Sequence, residues 1–464
     1  MNTKKTPISR RHVLRMSALA GIGSFIAACA PPPAQAPAAS GAAQPTTVPA
    51  AAAKPTVTAV PTPAGFNTTG DKGSINVVYW ADSNDSFKTV VTKFTEETGI
   101  GVNYEIAPGD YLTWQQMMTT RLASSDTSVD AFHCDDFQAA IYGSAGWLLD
   151  LDAVVKSNNI DLNDWPQTLL KDVSSWGGKL YRLPWGNDTE IFFYRTDFFK
   201  EAGVEPPKTW DELIEVGKAL TTADRYGILL AGKNNGVLGN DIQHWTNQAG
   251  GAINALDTDG SKQALQFYKD LYAVHKIAPA GTPQEDYTSG FQGWLSNKYA
   301  MWWCWDGFYG AMRTNKDFWK EQVSAFLPPK GPLNNQTTTG CWGWSISAFS
   351  EKKEMASQWL AFTARPEIMK LQILRGRVPA RISLWSDKEV QDQAPSAPFL
   401  ELLAKSGTDA VKARPVTPSI QEIYDAAEQN VHSYLTDQVD LDTAVKNAMD
   451  KIKPILERDM KTAS

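Results

Sequence analysis

The sequence predicts an α/β protein large enough for two lobes. Three observations carry this. The chain has 464 residues, long for one domain. From Ser74 onward, short β-rich runs alternate with amphipathic stretches of helical period, the grammar of a parallel α/β sheet. With 42% hydrophobic and 20% charged residues, a large packed core is affordable and global disorder is excluded. The net charge is −7 and the first 29 residues carry five basic groups and no acid, so the body is more acidic still. That disfavours a nucleic-acid partner, which needs concentrated Lys and Arg.

Residues 1–29 read as an export signal. Lys4, Lys5, Arg10, Arg11 and Arg15 precede a mostly apolar stretch from Met16 to Ala28, too short to span a bilayer. Ser9-Arg10-Arg11-His12-Val13-Leu14-Arg15 resembles a twin-arginine export motif. Ile26-Ala27-Ala28-Cys29 resembles a bacterial lipobox, which implies lipidation of Cys29 and an extracytoplasmic protein anchored to the cell membrane. Residues 30–72 form a tether. Nine Pro and thirteen Ala fall between Ala30 and Ala64, favouring extended chain. At about 3.1 Å per residue it reaches on the order of 100 Å.

The body then proceeds element by element. Ile75 to Trp80 is a strand, and Phe87 to Thr98 a helix with Val90, Val91 and Phe94 on one face and Gly99 as its stop. Val102 to Ile106 alternates as a strand, Tyr111 to Ser124 is a helix, and Val129 to Phe132 a strand. Ile191 to Tyr194 is a strand. Thr209 is placed as an N-cap, with Glu212 three residues on for a capping box. Tyr226 to Leu230 and Tyr299 to Trp305 are strands, with a helix from Ser261 to His275 between them. No repeat of 20–50 residues is present, which excludes solenoids and propellers.

Several segments, in order, resemble a known family. They are Thr98-Gly99-Ile100-Gly101-Val102, Gly146-Trp147-Leu148-Leu149-Asp150-Leu151, Gly178-Lys179-Leu180-Tyr181-Arg182-Leu183-Pro184, Phe193-Tyr194-Arg195-Thr196-Asp197 and Pro207-Lys208-Thr209-Trp210-Asp211-Glu212-Leu213. Asn297 to Met301, Leu327 to Gly331, Gly376 to Arg381 and Arg414 to Pro418 complete the series. Over residues 74–455 the body resembles the extracellular solute-binding proteins of ABC importers, in the branch similar to maltose-binding protein. Arg195 departs from the pattern, standing where the family usually has Asn.

The resemblance implies a two-lobed periplasmic-binding-protein-like fold with discontinuous lobes, a hinge and an interlobe cleft. Lobe one is placed at 74–186 plus 326–378, and lobe two at 190–325 plus 379–464. It further implies a monomeric receptor, without catalysis, cofactor or metal, that closes on a small molecule and delivers it to permease subunits. The seventeen tryptophans favour a carbohydrate of two or more rings, since indole faces cover sugar C–H patches.

Candidate ligand contacts sit after strands. Trp80 and Asp82 follow the first, where Asp82 is either a contact or an N-cap. Asp135 and Asp136 follow the Val129–Phe132 run, one facing the cleft and the other capping the next helix. Asn187 and Asp188 are contacts or turn residues. Trp303 and Trp305 share one strand face, with Asp306 beside them, while Trp302 and Cys304 occupy the other. Trp342 and Trp344 likewise share a face, and at least one Trp of each cluster belongs to a core. Trp245 and Arg377 complete the set. Cys134, Cys304 and Cys341 are an odd number; a Cys304–Cys341 bridge and free thiols both remain open. The rival readings are an exported glycoside hydrolase, although zinc-protease, nucleophile-elbow and P-loop motifs are absent, or a same-fold binder of a polyamine. Many acids and no Arg in the cleft would favour the polyamine.

Overall fold

A computed structural model of the chain describes residues 66–463, except 81–85, 108–110, 313–321, 374–377, 394–399 and 401–410. The expected signal, Cys29 and the expected tether up to residue 65 therefore lie outside the described residues, as do Asp82 and Arg377. The last residues of that tether, 66–72, are instead part of the fold, with Phe66 and Asn67 paired as a strand to Tyr104 and Asn103. The strands in chain order are β1 (Phe66–Asn67), β2 (Ser74–Trp80), β3 (Gly101–Ala107), β4 (Ala131–Asp135), β5 (Ser175–Trp176), β6 (Lys179–Leu180), β7 (Leu183–Gly186), β8 (Glu190–Arg195), β9 (Tyr226–Leu229), β10 (Tyr299–Trp305), β11 (Val323–Phe326), β12 (Thr337–Thr339), β13 (Trp342–Ile346) and β14 (Val411–Ala413).

Two sheets organise the body. The first has the order β1-β3-β2-β4-β13-β7. Its centre is the predicted parallel unit: β2 runs parallel to both β3 and β4. The intervening helix, Ser86–Thr98, buries Phe87, Val90, Val91 and Phe94, the i, i+3, i+4, i+7 stripe that pins a helix to a sheet. It stops at Gly99, whose φ of +73° only glycine adopts without strain. The next helix, Tyr111–Ala123, buries Trp114, Met118 and Leu122 at four-residue spacing.

β4 differs from its expected bounds. It begins two residues later than the sequence reading placed it and runs on through His133 and Cys134 to Asp135. β13 pairs there, with Trp342 opposite Asp135 and Trp344 opposite His133, so these residues are strand and not loop. Asp130 is left ahead of the strand. Its carboxylate accepts the Asn76 N–H at 2.8 Å and the Ser350 hydroxyl at 2.6 Å.

The second sheet has the order β11-β8-β10-β9. One face, with Phe192, Met301 and Trp303, packs on a core of helices. The other, with Ile191, Phe193, Trp302 and Cys304, lies in the first hydrophobic cluster, where Trp302 packs against Phe291, Trp294 and Phe308. The alternation expected of Tyr299–Trp305 is therefore present. Ten of the eleven residues of the helix Leu238–Gln248 are buried, which makes it the central helix of this half. The helix Trp210–Leu220 starts at the expected cap: Thr209 accepts from the Glu212 N–H at 3.2 Å. Glu212 reaches back one residue further than a capping box requires, to the Lys208 N–H at 2.7 Å. Arg195, the departure from the family pattern, holds Asp197 with two guanidinium nitrogens at 2.8 and 2.6 Å.

One segment is placed differently from expectation. Residues 379–393 are expected in lobe two, but Ala380, Leu384, Trp385 and Val390 are buried in the first hydrophobic cluster. Arg381 bonds Asp164 at 2.7 Å and lies over the Trp165 ring at 4.0 Å. The chain crosses over, packs on the first core and turns back, which local periodicity does not report. No described helix is long and apolar enough to cross a membrane.

Asp241, in the central helix, is buried and accepts from the Ala231 N–H at 3.0 Å and the Tyr268 hydroxyl at 2.9 Å. Burial pushes its pKa up to about 7. The native state thus holds a proton that the unfolded chain releases near its ordinary value, so stability falls as pH rises through that window. Asp241→Asn keeps an acceptor and removes the titration. Its melting midpoint should exceed that of the wild type by several degrees at about pH 8, and the difference should shrink steadily as pH falls toward about 4, the ordinary carboxylate value. An unchanged difference across that range would refute this assignment. Glu190 and Glu428, also raised by burial, leave the variant part of its slope.

Candidate functional site

The two sheets are joined where the chain crosses between β7 and β8 and between β11 and β13, and the residues around Val378 bond to both sides of this junction. These crossings are bonded to one another. The Asn187 N–H donates to the Val378 carbonyl at 2.9 Å, and the Val378 N–H donates to the Asp306 carboxylate at 2.9 Å. The Gly340 N–H donates to the Asp188 carbonyl at 2.9 Å, and the Thr339 hydroxyl donates to the Asn187 side chain. Three expected ligand contacts, Asn187, Asp188 and Asp306, are thus placed at the crossings. Asn187 and Asp306 are fully buried there, and Asp188 is half-buried. A buried carboxylate needs donors, and backbone at the crossing supplies one to Asp306.

Asp135 and Asp136 divide two tasks. Asp135 is the N-cap of the helix Asp136–Ser144: it accepts from the Asp136 N–H at 2.9 Å while its own N–H donates to Gln138 at 3.0 Å. Asp136 faces Arg414, whose Nη2 and Nε donate to its two oxygens at 2.5 and 3.1 Å. The same guanidinium approaches Asn240 at 3.3 Å and lies over the rings of Phe137 and Trp305 at 4.1 and 4.8 Å. Sequence reasoning noted Arg414 only as part of a motif. What makes it central is that the fold brings it to Asp136 from 278 residues away along the chain.

The aromatic candidates separate. Trp305, the last residue of β10, is half-buried under Arg414. Trp342 ends a three-ring stack, with His133 between it and Tyr79 at centroid distances of 4.2 and 4.3 Å. Trp303 lies against His244 at 4.8 Å and Phe192 at 5.9 Å. Trp344 and Trp245 are core residues instead of cleft residues: Trp344 meets Trp359 edge-on at 5.3 Å, and Trp245 packs on Trp210, Phe267 and Trp303. Trp80 ends β2.

Two buried groups escaped the sequence reading. Glu190 and His244 are in direct contact, with essentially no exposure. Burial raises the Glu190 pKa well above the carboxylate range and lowers that of His244 well below the imidazole range. Burial thus disfavours charge on both groups, and the Arg414 charge further opposes protonation of the imidazole. Arg182, fully buried behind β4 and β13, donates to the carbonyls of Cys134 and Val173 and to Ser174. Cys134, Cys304 and Cys341 are free buried thiols; burial pushes those of Cys134 and Cys341 up to about 12, so they stay protonated.

A cavity of about 770 Å³ opens between the two cores. One wall carries Asn163, Trp165, Gln167, Thr168 and Asp172, the other Gln243 and Ala252, and residues 411–416 with Gln336 close it. Amides and a hydroxyl dominate its polar lining. Its charged groups are Lys412 and Arg414 against Asp172. None of the expected contacts lines it, because the 161–172 stretch has no motif to single it out. Among the described residues no group of three or more His, Cys, Asp and Glu side chains gathers as a metal site.

Comparison with known proteins agrees with this architecture. Residues 80–370 match the family model of the bacterial extracellular solute-binding protein. A probable amino-acid ABC transporter periplasmic-binding protein of Sinorhizobium fredii is 26% identical over 81% of this chain and 87% of its own. The mannitol-binding protein of Pseudomonas aeruginosa is 26% identical over 63% of this chain and 69% of its own. Among solved structures, a ribitol complex of a solute-binding protein from Agrobacterium radiobacter superposes with a TM-score of 0.72 at 23% identity, over 84% of this chain and all of its own. The maltose-bound MalE3 of T. maritima gives 0.71 at 23% identity, over 82% and 100%. These structures share the two-lobed fold, and the matched family model covers more than half of the sequence. The chain belongs to the bacterial extracellular solute-binding proteins.

Proposed function

We propose that this protein is the extracytoplasmic receptor of an ABC importer for a neutral polyhydroxylated solute, a sugar or sugar alcohol, captured between the lobes and handed to membrane permease subunits. The observation that carries this reading is the lining of the interlobe cavity. Amides and hydroxyls that donate and accept suit hydroxyl-rich ligands, while Pro166, Ile382 and Val411 offer apolar surface to C–H faces. Two cationic groups against one acid disfavour a polyamine. A glycosidase needs two carboxylates across its substrate, and this lining supplies Asp172 alone. Relatives named for mannitol and for erythritol and L-threitol point to the same solute class.

In this reading, lobe one comprises residues up to 186 with the first sheet's later strand and residues 378–393. Lobe two is the remainder built on the second sheet. The protein acts as a monomer without catalytic turnover. A tether over residues 30–65 places it on a leash from Cys29, lipidated at the outer face of the cell membrane, where acyl chains contribute about 0.8 kcal/mol per buried methylene.

Thermal shift of the full chain tests the solute. At about 100 times its dissociation constant, a bound ligand stabilises by about 2.7 kcal/mol, which moves the midpoint by several degrees. Mannitol, ribitol or maltose should give a saturable shift and be recovered unchanged, while spermidine should give none. A shift confined to spermidine or an amino acid, or turnover of a glycan, would overturn the assignment. For the anchor, Cys29→Ser should move the protein from the membrane fraction to the soluble extracytoplasmic fraction; retention on the membrane would refute lipidation at that residue.

A further inference from the structure

We propose that Arg414 is the positioning residue of lobe closure: its guanidinium latches the first lobe, through Asp136, to the second, through Asn240 and Trp305, and so sets how much of the ligand-free receptor is closed. The inference rests on the closing-receptor reading above, but it concerns the protein before any solute arrives.

Four separate chain segments meet at this one side chain. Arg414 follows β14 on a crossing segment, which pairs in parallel with β12. Asp136 opens the helix that leaves the first sheet, and it is fully buried with Arg414 across both oxygens. Asn240 belongs to the central helix of the second core, and Trp305 ends a strand of the second sheet. The neighbouring Phe137 belongs to the first lobe's helix, yet it packs edge-on against Tyr424 of the second core at 5.1 Å. Residue 340 is shaped for the pair: a Cβ on Gly340 would stand 2.7 Å from Nη2 of Arg414 and 2.8 Å from Oδ2 of Asp136. Separating the lobes cannot preserve the bonds to Asp136 and Asn240 together.

The physics makes such a contact a balance and not a weld. Bringing Asp136 and Arg414 out of water costs hydration, and the two-nitrogen geometry with stacking on Phe137 and Trp305 offsets much of it. A nearly even balance leaves both arrangements populated, and a solute then needs only a modest preference for the closed one to shift it. Arg414 also lines the cavity, so a bound solute and the latch share one surface.

The test measures the lobe separation directly in the full chain. Spin labels on Lys156→Cys and Val274→Cys, both exposed and on different lobes, report it by pulsed electron resonance. Without solute, Asp136→Asn and Arg414→Met should each shift the distance distribution toward the longer, open value. Arg414→Lys should retain part of the closed population, since it keeps charge but not the fork. The double variant Asp136→Asn/Arg414→Met should be no more open than either single one, because both remove the same contact. Saturating mannitol should restore the short distance in the variants, with an affinity about tenfold weaker than wild type. Distributions unchanged by both single substitutions, or strictly additive shifts, would overturn the latch. If the ligand-free distributions move as expected and none of mannitol, ribitol or maltose shortens them, the latch stands and the solute assignment falls. Should a charge-removing variant fail to fold, Arg414→Lys and Asn240→Ala carry the same comparison: a shift toward open supports the latch, and none refutes it.

Discussion

The peptide group of Val378 is held from both sides, its carbonyl by the Asn187 N–H and its own N–H by the Asp306 carboxylate. The architecture depends on this knot. Two sheets with separate cores can face each other across a cavity only if the crossing chains satisfy their backbone groups away from water. Two crossings and the Val378 segment meet here and exchange those bonds, assisted by the Thr339 hydroxyl and the Gly340 N–H. Walls joined at such a level and open beyond it form the arrangement in which hinge closure operates.

The charged groups near this junction follow the same constraint. A low-dielectric interior tolerates charge only when it is neutralised by proton transfer or by close donors. Burial shifts Glu190 and His244 in the first direction, toward their uncharged forms. Asp136 with Arg414, and Arg182 among backbone carbonyls, take the second. Asp135, at a helix N-terminus, is held by the cap geometry and by the favourable end of the helix dipole.

Much of the fold was legible because local pattern reports which face of an element is apolar. The helix 86–98, the parallel unit of β2, β3 and β4, the alternation along β10 and the cap at Thr209 all follow from spacing within a dozen residues. What covers an apolar face was not legible. Trp344 and Trp342 share a face of β13, yet Trp344 is enclosed by Trp359 while Trp342 stacks on His133. Alternation is identical for both and both are buried; which rings meet each one is decided by segments far away in the chain. The end of β4 was misplaced for a related reason. Strand character at His133–Asp135 comes from β13, about two hundred residues later, and not from local propensity.

By itself, then, the sequence determined the element types, the α/β class and the ordered motifs of the family. Those properties are encoded in short-range periodicity, capping chemistry and contiguous motifs. Only the tertiary structure decided the rest. It put residues 379–393 on the first core, tied Asn187 and Asp306 into the crossings, lined the cavity with the unmarked 163–172 stretch, and brought Arg414 to Asp136. Each of these is a meeting of segments far apart in the chain. Whether a polar side chain becomes a cap, a hinge bond or a cavity wall depends on which groups remain unsatisfied nearby once the sheets have assembled.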